Sequence, residues 1–375
     1  LSAHTPVAII DCPDYRQDHV DAAVKAAADA AGAIAVSGAV VLVKPNMLNA
    51  AIPERAVTTH PAVVLAVIRW LKQHGAARVL VGDAPAWQPM DSVGTTTGIM
   101  QAAKSAGAEW ADFTVGVSVA VPDSRLVRRF EIARPVVEAD LVISLPKLKT
   151  HGLMYYTGAV KNLFGAVPGF KKSAFHLRFP GRSEFAAMLA DLMLAVKPGF
   201  AIMDAVTGME GPGPNAGTPR QVGLILASPD CWALDWVAAG LIGYNPAEVP
   251  YLGLAATDQR YGFDPDAIRT CGEDPAKRTI KHYHRIKVLK DTDLFRRRMP
   301  GWLHRIVRNA TVARPEFSDD RCIRCAGCIR ICPAGALSLT PAHRAPTIDY
   351  SACIRCYCCH EICPEDAISL HRRLF

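Results

Sequence analysis

The chain has 375 residues, 50% of them apolar and 21% charged; these are ordinary globular proportions, which exclude a disordered, collagen-like or coiled-coil architecture. The formal charge of +7 is unevenly placed: residues 276–314 carry twelve Lys or Arg against Asp291 and Asp293, whereas residues 1–275 hold 23 basic and 26 acidic side chains. The apolar runs fall short of the roughly 20 residues that a membrane-spanning helix needs. Cytoplasmic placement is therefore expected, and a first residue of Leu is compatible with a leader trimmed away.

In chain order, short Val/Ile/Leu runs alternate with helical patterns. Strands are expected at Val7–Ile10, Val40–Val43, Val79–Val81, Leu141–Leu145, Phe200–Met203 and Val222–Leu226, and helices at Val20–Ala31, Pro61–His74, Thr95–Ala106, Ser183–Val196 and Cys231–Ile242. Residues 107–135 read as an antiparallel excursion. The pattern predicts an α/β body over residues 1–275, with a mostly parallel sheet covered by helices on both faces. A basic helical connector, 276–316, then leads to a small α+β domain at 317–375. Packing of Ile280, Ile286, Leu294, Trp302 and Ile306 onto the body would leave the connector's charges solvated. The near absence of Gly and Ser argues against a flexible tether. Its basic face suits an acidic partner protein of the flavodoxin or ferredoxin type, and nucleic acid is not expected.

In parallel sheets ligands bind beyond the carboxyl ends of the strands. Here those ends are polar: Lys44-Pro45-Asn46, Gly82-Asp83, Pro146-Lys147-Leu148-Lys149-Thr150-His151, Asp204, and Ser228-Pro229-Asp230. Lys44, Lys147 and Lys149 on one edge would be costly without a bound anion. Asp230 reads as the N-cap of the helix starting at Cys231. The run Thr157-Gly158-Ala159-Val160-Lys161-Asn162-Leu163-Phe164-Gly165 has neither the P-loop order nor a Rossmann glycine fingerprint. Gly208–Gly217 reads as a loop over the rim with Glu210 its only ionisable group. The resulting site candidates are His151, Lys161 and Glu210 for catalysis, and Lys44, Asn46, Asp83, Lys147, Lys149, Thr157, Asn162 and Asp204 for binding an anionic or nucleotide-like ligand.

Eight of twelve cysteines form two runs, Cys322-x2-Cys325-x2-Cys328-x3-Cys332-Pro and Cys353-x2-Cys356-x2-Cys359-x3-Cys363-Pro, in an internal repeat that agrees at 11 of 18 positions. Three thiolates at this spacing wrap one 4Fe-4S cluster, and the fourth, before Pro, completes the other. Cluster one takes Cys322, Cys325, Cys328 and Cys363; cluster two takes Cys353, Cys356, Cys359 and Cys332. Zinc sites or disulfides would not need this repeated spacing. Cys358 reads as a small residue beside its cluster, and Cys12, Cys231 and Cys271 as reduced bystanders.

The repeat resembles the bacterial two-cluster ferredoxin family over residues 317–371. Together with LPKLKTH, TGAVKNLFG, GMEGPGPNAGTPR and ASPDCWALD, the chain resembles the prokaryotic proteins grouped as domain of unknown function 362. That resemblance implies the body fold and its association with iron–sulfur clusters, but no reaction. A local similarity links Thr157–Lys161 to lactate racemase, whose Ser-Gly-Gly-Ala-Lys lysine attaches a nickel pincer nucleotide, and it implies a cofactor role for Lys161. Two functions fit the sequence. One is an oxidoreductase acting on an anionic ligand, with electrons passing through two clusters. The other is a non-catalytic electron-transfer or maturation protein whose body docks a partner.

Overall fold

The structure, a computed structural model, describes residues 4–32, 34–169, 171–286 and 312–371. Leu294, Trp302 and Ile306 of the expected connector lie outside them. Ile280 and Ile286 pack against the body core as expected.

Among the described residues twelve strands build the body: β1 (Thr5–Asp11), β2 (Val40–Pro45), β3 (Arg78–Val81), β4 (Glu109–Trp110), β5 (Gly116–Ala120), β6 (Arg129–Ala133), β7 (Leu141–Leu145), β8 (Lys147–His151), β9 (Tyr155–Thr157), β10 (Phe200–Glu210), β11 (Thr218–Ser228) and β12 (Ile268–Gly272). Ten of them form one sheet in the order β12-β1-β11-β10-β7-β2-β3-β4, with β8 paired to β10 and to β9. Pairing is parallel from β10 through β7, β2 and β3 to β4 and between β1 and β12; β11 runs antiparallel to both neighbours. The remaining two, β5 and β6, form the antiparallel hairpin expected within 107–135.

Strand alternation sorts the sheet's side chains into two cores. Val41, Val43, Ile143, Phe200 and Ile202 face helices Gln17–Ala30 and Pro61–Gln73. Their neighbours Leu42, Val142, Ala201 and Met203 face helices Arg182–Val196 and Cys231–Leu241. Both faces are covered, so each strand reads as a continuous apolar run.

Three elements differ from expectation. The helix over Thr95–Ala106 is two, Met90–Thr96 and Ile99–Ser105, because Gly98 adopts a left-handed conformation (φ 74°) between them. Gly208–Glu210 is strand, leaving only the turn 211–217 as loop. The segment after Leu145 is also strand. Pro146 interrupts β7, and β8 then resumes along the far half of β10, with Asp204 opposite Lys147 and Met209 opposite Lys149. The eleven-residue length of β10 supplies an edge beyond the end of β7, and the lysines of LPKLKTH are thereby drawn into the sheet.

The small C-terminal domain pairs Arg314–Phe317 with Ile368–His371 and Leu337–Ser338 with Thr347–Ile348 around two short helices, Gly327–Ile331 and Cys358–Ile362. Among the described residues no helix is long and apolar enough to cross a membrane.

Asp191, the charge within the apolar run of helix Arg182–Val196, is fully buried and accepts from Arg125 N, Leu126 N and Val127 N at 2.7, 2.7 and 2.8 Å and from the Tyr261 hydroxyl at 3.1 Å. It pins the segment leading into β6. Asp191→Ala would strand those donors and should destabilise the protein by about 2–4 kcal/mol in urea unfolding, with each unmet buried donor costing about 1–3 kcal/mol before relaxation.

Candidate functional site

The carboxyl ends of β2, β3 and β7 converge with mid-strand Asp204 of β10, with β8 and with the short helix Ala159–Asn162. Four lysines there are buried: Lys44, Lys147, Lys149 and Lys172. Two have carboxylate partners. Lys44 Nζ lies 2.7 Å from Asp83 Oδ1 and 2.5 Å from the Asn162 carbonyl. Lys147 Nζ lies 2.8 Å from Asp204 Oδ2 and 2.7 Å from the Tyr15 hydroxyl, and Asp204 also accepts from Tyr15 and from His60 N, each at 2.8 Å. The anion expected beside these two lysines is therefore supplied by the chain itself, as Asp83 and Asp204. Lys149 is held by neutral oxygens, Asn46 Oδ1 at 2.9 Å and the Val57 carbonyl at 2.6 Å. Burial, with the nearby charges of Lys161 and Lys147, pushes its pKa well down.

The TGAVKNLFG turn follows from two close approaches. Asp235 of ASPDCWALD accepts from Ala159 N at 2.6 Å and Val160 N at 3.0 Å, filling the helix end with the chain's own carboxylate. A Cβ at Gly158 would collide with that carboxylate, and a Cβ at Gly165 with the Lys44–Asp83 pair, so both positions need glycine. Burial raises the Asp235 pKa to about 7 against these hydrogen bonds.

Beyond the turn opens a cleft of ≈ 650 Å³. Its body side carries Asn46, Asp83, Lys161, Asn162, Phe164, Lys172 and His176; the opposite side is formed by Ile331, Cys358, Glu361 and Ile362 of the C-terminal domain. Lys161 is partly exposed into this space and has no hydrogen-bond partner among the described residues; burial lowers its pKa while Glu361 opposes the shift. Lys172 donates to the carbonyls of Ala84 and Pro85, and burial brings its pKa down to about 7. His176 stacks on Phe185, and burial lowers its pKa to about 4.

His151 is fully buried behind Glu361. Its Nδ1 accepts from Leu153 N and Met154 N at 3.1 and 3.2 Å, which leaves the ring proton on Nε2, 3.1 Å from Glu361 Oε1. Burial lowers the His151 pKa to about 4, so the ring is neutral. Burial works against an ionised Glu361, but the His151 ring and the Lys161 charge hold its pKa below the carboxylate range. His151 thus orients Glu361 and does not reach the cleft. Thr157 and Asp204 are buried away from it, and Glu210, at the end of β10, binds His284 N at 3.0 Å. Asp230 caps its helix as expected, accepting from Trp232 N at 2.7 Å.

The sequence reading missed Lys172, His176 and Glu361. The first and second sit one turn apart on helix Lys171–Arg178, which follows no strand. Glu361 lies inside a cysteine run, where the other repeat has Arg330.

The C-terminal domain is fixed to the body by Arg55, which binds the Pro364 carbonyl at 2.8 Å and Asp366 at 2.9 Å, and by Asn215, whose Nδ2 meets the Cys363 carbonyl at 2.5 Å. Trp87 packs on Gly327. Within the domain, one cavity of ≈ 420 Å³ is lined by Cys322, Cys325, Cys328 and Cys363, and a second of ≈ 350 Å³ by Cys332, Cys353, Cys356 and Cys359, with Cys358 beside them. Apolar residues such as Phe317, Ile323, Ile348 and Ile368 complete their walls. Backbone N–H groups of Arg324, Ala336 and Ala367 point at the sulfurs of Cys322, Cys332 and Cys363 at 3.3–3.4 Å. Four soft donors around an apolar space with N–H groups on sulfur fit an iron–sulfur cluster.

Fold and site together define an α/β protein with an appended iron–sulfur module. The chain belongs to the family described as Domain of unknown function (DUF362), whose model matches residues 41–240, and residues 314–364 match the 4Fe-4S dicluster domain. The thylakoid-associated protein sll1697 of Synechocystis sp. (strain ATCC 27184 / PCC 6803 / Kazusa) is 36% identical over 228 residues, covering 60% of this chain and 69% of that protein. The lactate racemase apoprotein from Thermoanaerobacterium thermosaccharolyticum superposes with a TM-score of 0.38 at 11% identity, covering 62% of this chain; the chain spans 55% of that structure's length.

The Lys147–Asp204 pair permits a direct check. Asp204→Asn keeps the acceptor oxygen but leaves Lys147 without a counter-charge, and should cost about 3–5 kcal/mol in urea unfolding. Adding Lys147→Met to Asp204→Asn should recover part of that loss, because the uncompensated charge is gone while an amide oxygen still accepts from the Tyr15 hydroxyl or His60 N.

Proposed function

We propose that this chain is an oxidoreductase that binds an anionic small molecule in the cleft between the strand ends and the dicluster module. Cys322, Cys325, Cys328 and Cys363 hold one 4Fe-4S cluster, and Cys332, Cys353, Cys356 and Cys359 hold the other. The observation that carries this reading is a shared wall: Cys358 lines both the second cysteine cavity and the lysine-bearing cleft. When bound, such clusters supply single electrons.

The chain's own residues do the rest. Lys161 and Lys172 hold the anionic group, and the Asn46 and Asn162 amides orient it. Phe164, Ile331 and Ile362 keep water from the remainder of the ligand. Glu361, fixed by His151, sets Lys161 against one negative neighbour and leaves Lys172 to the ligand. Because burial brings the Lys172 pKa to about 7, an anion placed beside it raises that pKa and binding takes up a proton. Affinity should therefore fall as pH rises above about 7.

Two measurements test this. Protein prepared anaerobically should carry about eight iron atoms per chain; Cys325→Ser should lose or convert one cluster, and Cys358→Ser should keep both. Stoichiometric zinc with little iron would sink the ligand assignment. The small molecule extracted from that protein, identified by mass spectrometry and returned in a binding titration, should bind Lys161→Ala about ten- to a hundredfold more weakly, the ~1.5–3 kcal/mol of a lost charge-assisted hydrogen bond. Lys172→Met should flatten the pH dependence. Unchanged binding in both variants would move the ligand off this face and favour the electron-carrier or maturation function.

A further inference from the structure

The two cysteine runs open with the same four residues, Cys-Ile-Arg-Cys, and fold alike: Arg324 and Arg355 have φ of 61° and 58°, and the residues two further on, Ala326 and Tyr357, have 58° and 65°. What covers them differs. In the second copy Arg355 is buried and its Nη1 donates to the Val312 carbonyl at 2.9 Å, Tyr357 Oη donates to the Ala313 carbonyl at 3.1 Å, and Ile354 is half-buried. In the first copy Arg324 is exposed and Ile323 is 53% exposed. One loop is buried under a neighbouring backbone segment; its twin is exposed to solvent.

Three arginines, Arg321, Arg324 and Arg344, are exposed around the open loop, with one exposed carboxylate, Glu365, on the wall of the Cys322 cavity. Arg321 and Arg344 are exposed on either side, with the Arg344 carbonyl 3.7 Å from Cys322 Sγ, and Arg324 reaches the Thr340 carbonyl at 3.4 Å beside the exposed Leu339. Asp319 and Asp320 share this edge, but Asp319 is engaged by His343 at 3.2 Å and by Ala345 N at 2.6 Å. An apolar tip between guanidinium groups, at the wall of the Cys322 cavity, is a surface for carboxylates around an apolar centre.

We propose that the Cys322–Cys325 loop is the docking site for an acidic one-electron carrier protein, contacted through Arg321, Ile323, Arg324 and Arg344. The docked carrier is oxidised by one electron, and the cluster held by the Cys322 set is reduced by it; no bond is made or broken. The proposal rests on the electron-carrying part of the reading above, but its test involves no cleft ligand, so the two fail separately.

The iron-loaded full chain is titrated anaerobically with purified flavodoxin, an acidic flavoprotein, and separately with a plant-type ferredoxin, at low and raised salt. Binding to at least one should weaken as salt rises, since exposed charges are screened over about 8 Å at physiological ionic strength. Arg321→Glu with Arg324→Glu should weaken it at least tenfold and remove most of the salt dependence, while dithionite still reduces the variant at the original rate. Arg128→Glu, on the body surface, should bind as the parent does. If charge reversal at 321 and 324 disturbs cluster loading, Arg344→Glu takes its place and should weaken binding severalfold. Unchanged affinity in the loop variants, an equal loss in Arg128→Glu, or no binding by either carrier would overturn the proposal.

Discussion

Removing an ammonium group from water costs several kcal/mol unless oxygen atoms replace its hydration, and this protein does so repeatedly at one end of a single sheet. The architecture around the site follows from how each lysine is satisfied. Asp204 must stand opposite Lys147, which fixes the register of β8 on β10. Asp83 must reach Lys44, which leaves no room for a side chain at Gly165. Once these two pairs have cancelled, the positive character that remains belongs to Lys161 and Lys172, both lining one cleft and offset in part by Glu361. The sheet can thus be dry and rigid where the pairs are, and electrostatically unfinished where a ligand would sit.

The sequence was legible wherever a local period was enough. The alternating cores at Val41 to Val43 and Ile143, and the cysteine spacing, depend on near neighbours and were readable without the fold. The position of LPKLKTH was not, because its conformation depends on an edge that β10 provides some fifty residues later. The same limit applies to Asp235, which fills the helix end of TGAVKNLFG from more than seventy residues away. A carboxylate in another motif settles a question that the glycine-rich run alone leaves open, and a lone Glu361 among cysteines gives no sign of its partner His151.

One signal was present and easily overlooked. The positions at which the two cysteine repeats disagree include Tyr357, Cys358, His360, Glu361 and Asp366 of the second copy, facing Ala326, Gly327, Ile329, Arg330 and Gly335 of the first. In the structure the first four of these are buried and Asp366 pairs with Arg55. The second copy thus departs from the first at Cys358 and Glu361, which line the cleft, and at Asp366, which pairs with Arg55 of the body. Divergence within a repeat marks a contact surface even when no second sequence is at hand.

The attachment of the module also imposes an order of assembly. Asn215 and Arg55 grip the backbone at Cys363 and Pro364, and Cys363 is the one cysteine of its run that turns toward the cavity of the opposite run. Every strand of the body sheet precedes this segment in the chain, so during synthesis the lysine rim is complete while its facing wall is still unmade. Until Cys363 is drawn into place, Lys161 faces water and His151 lacks the Glu361 carboxylate. The cleft wall and both cysteine cavities share the helix Cys358–Ile362, so any displacement of that one short element opens all three at once.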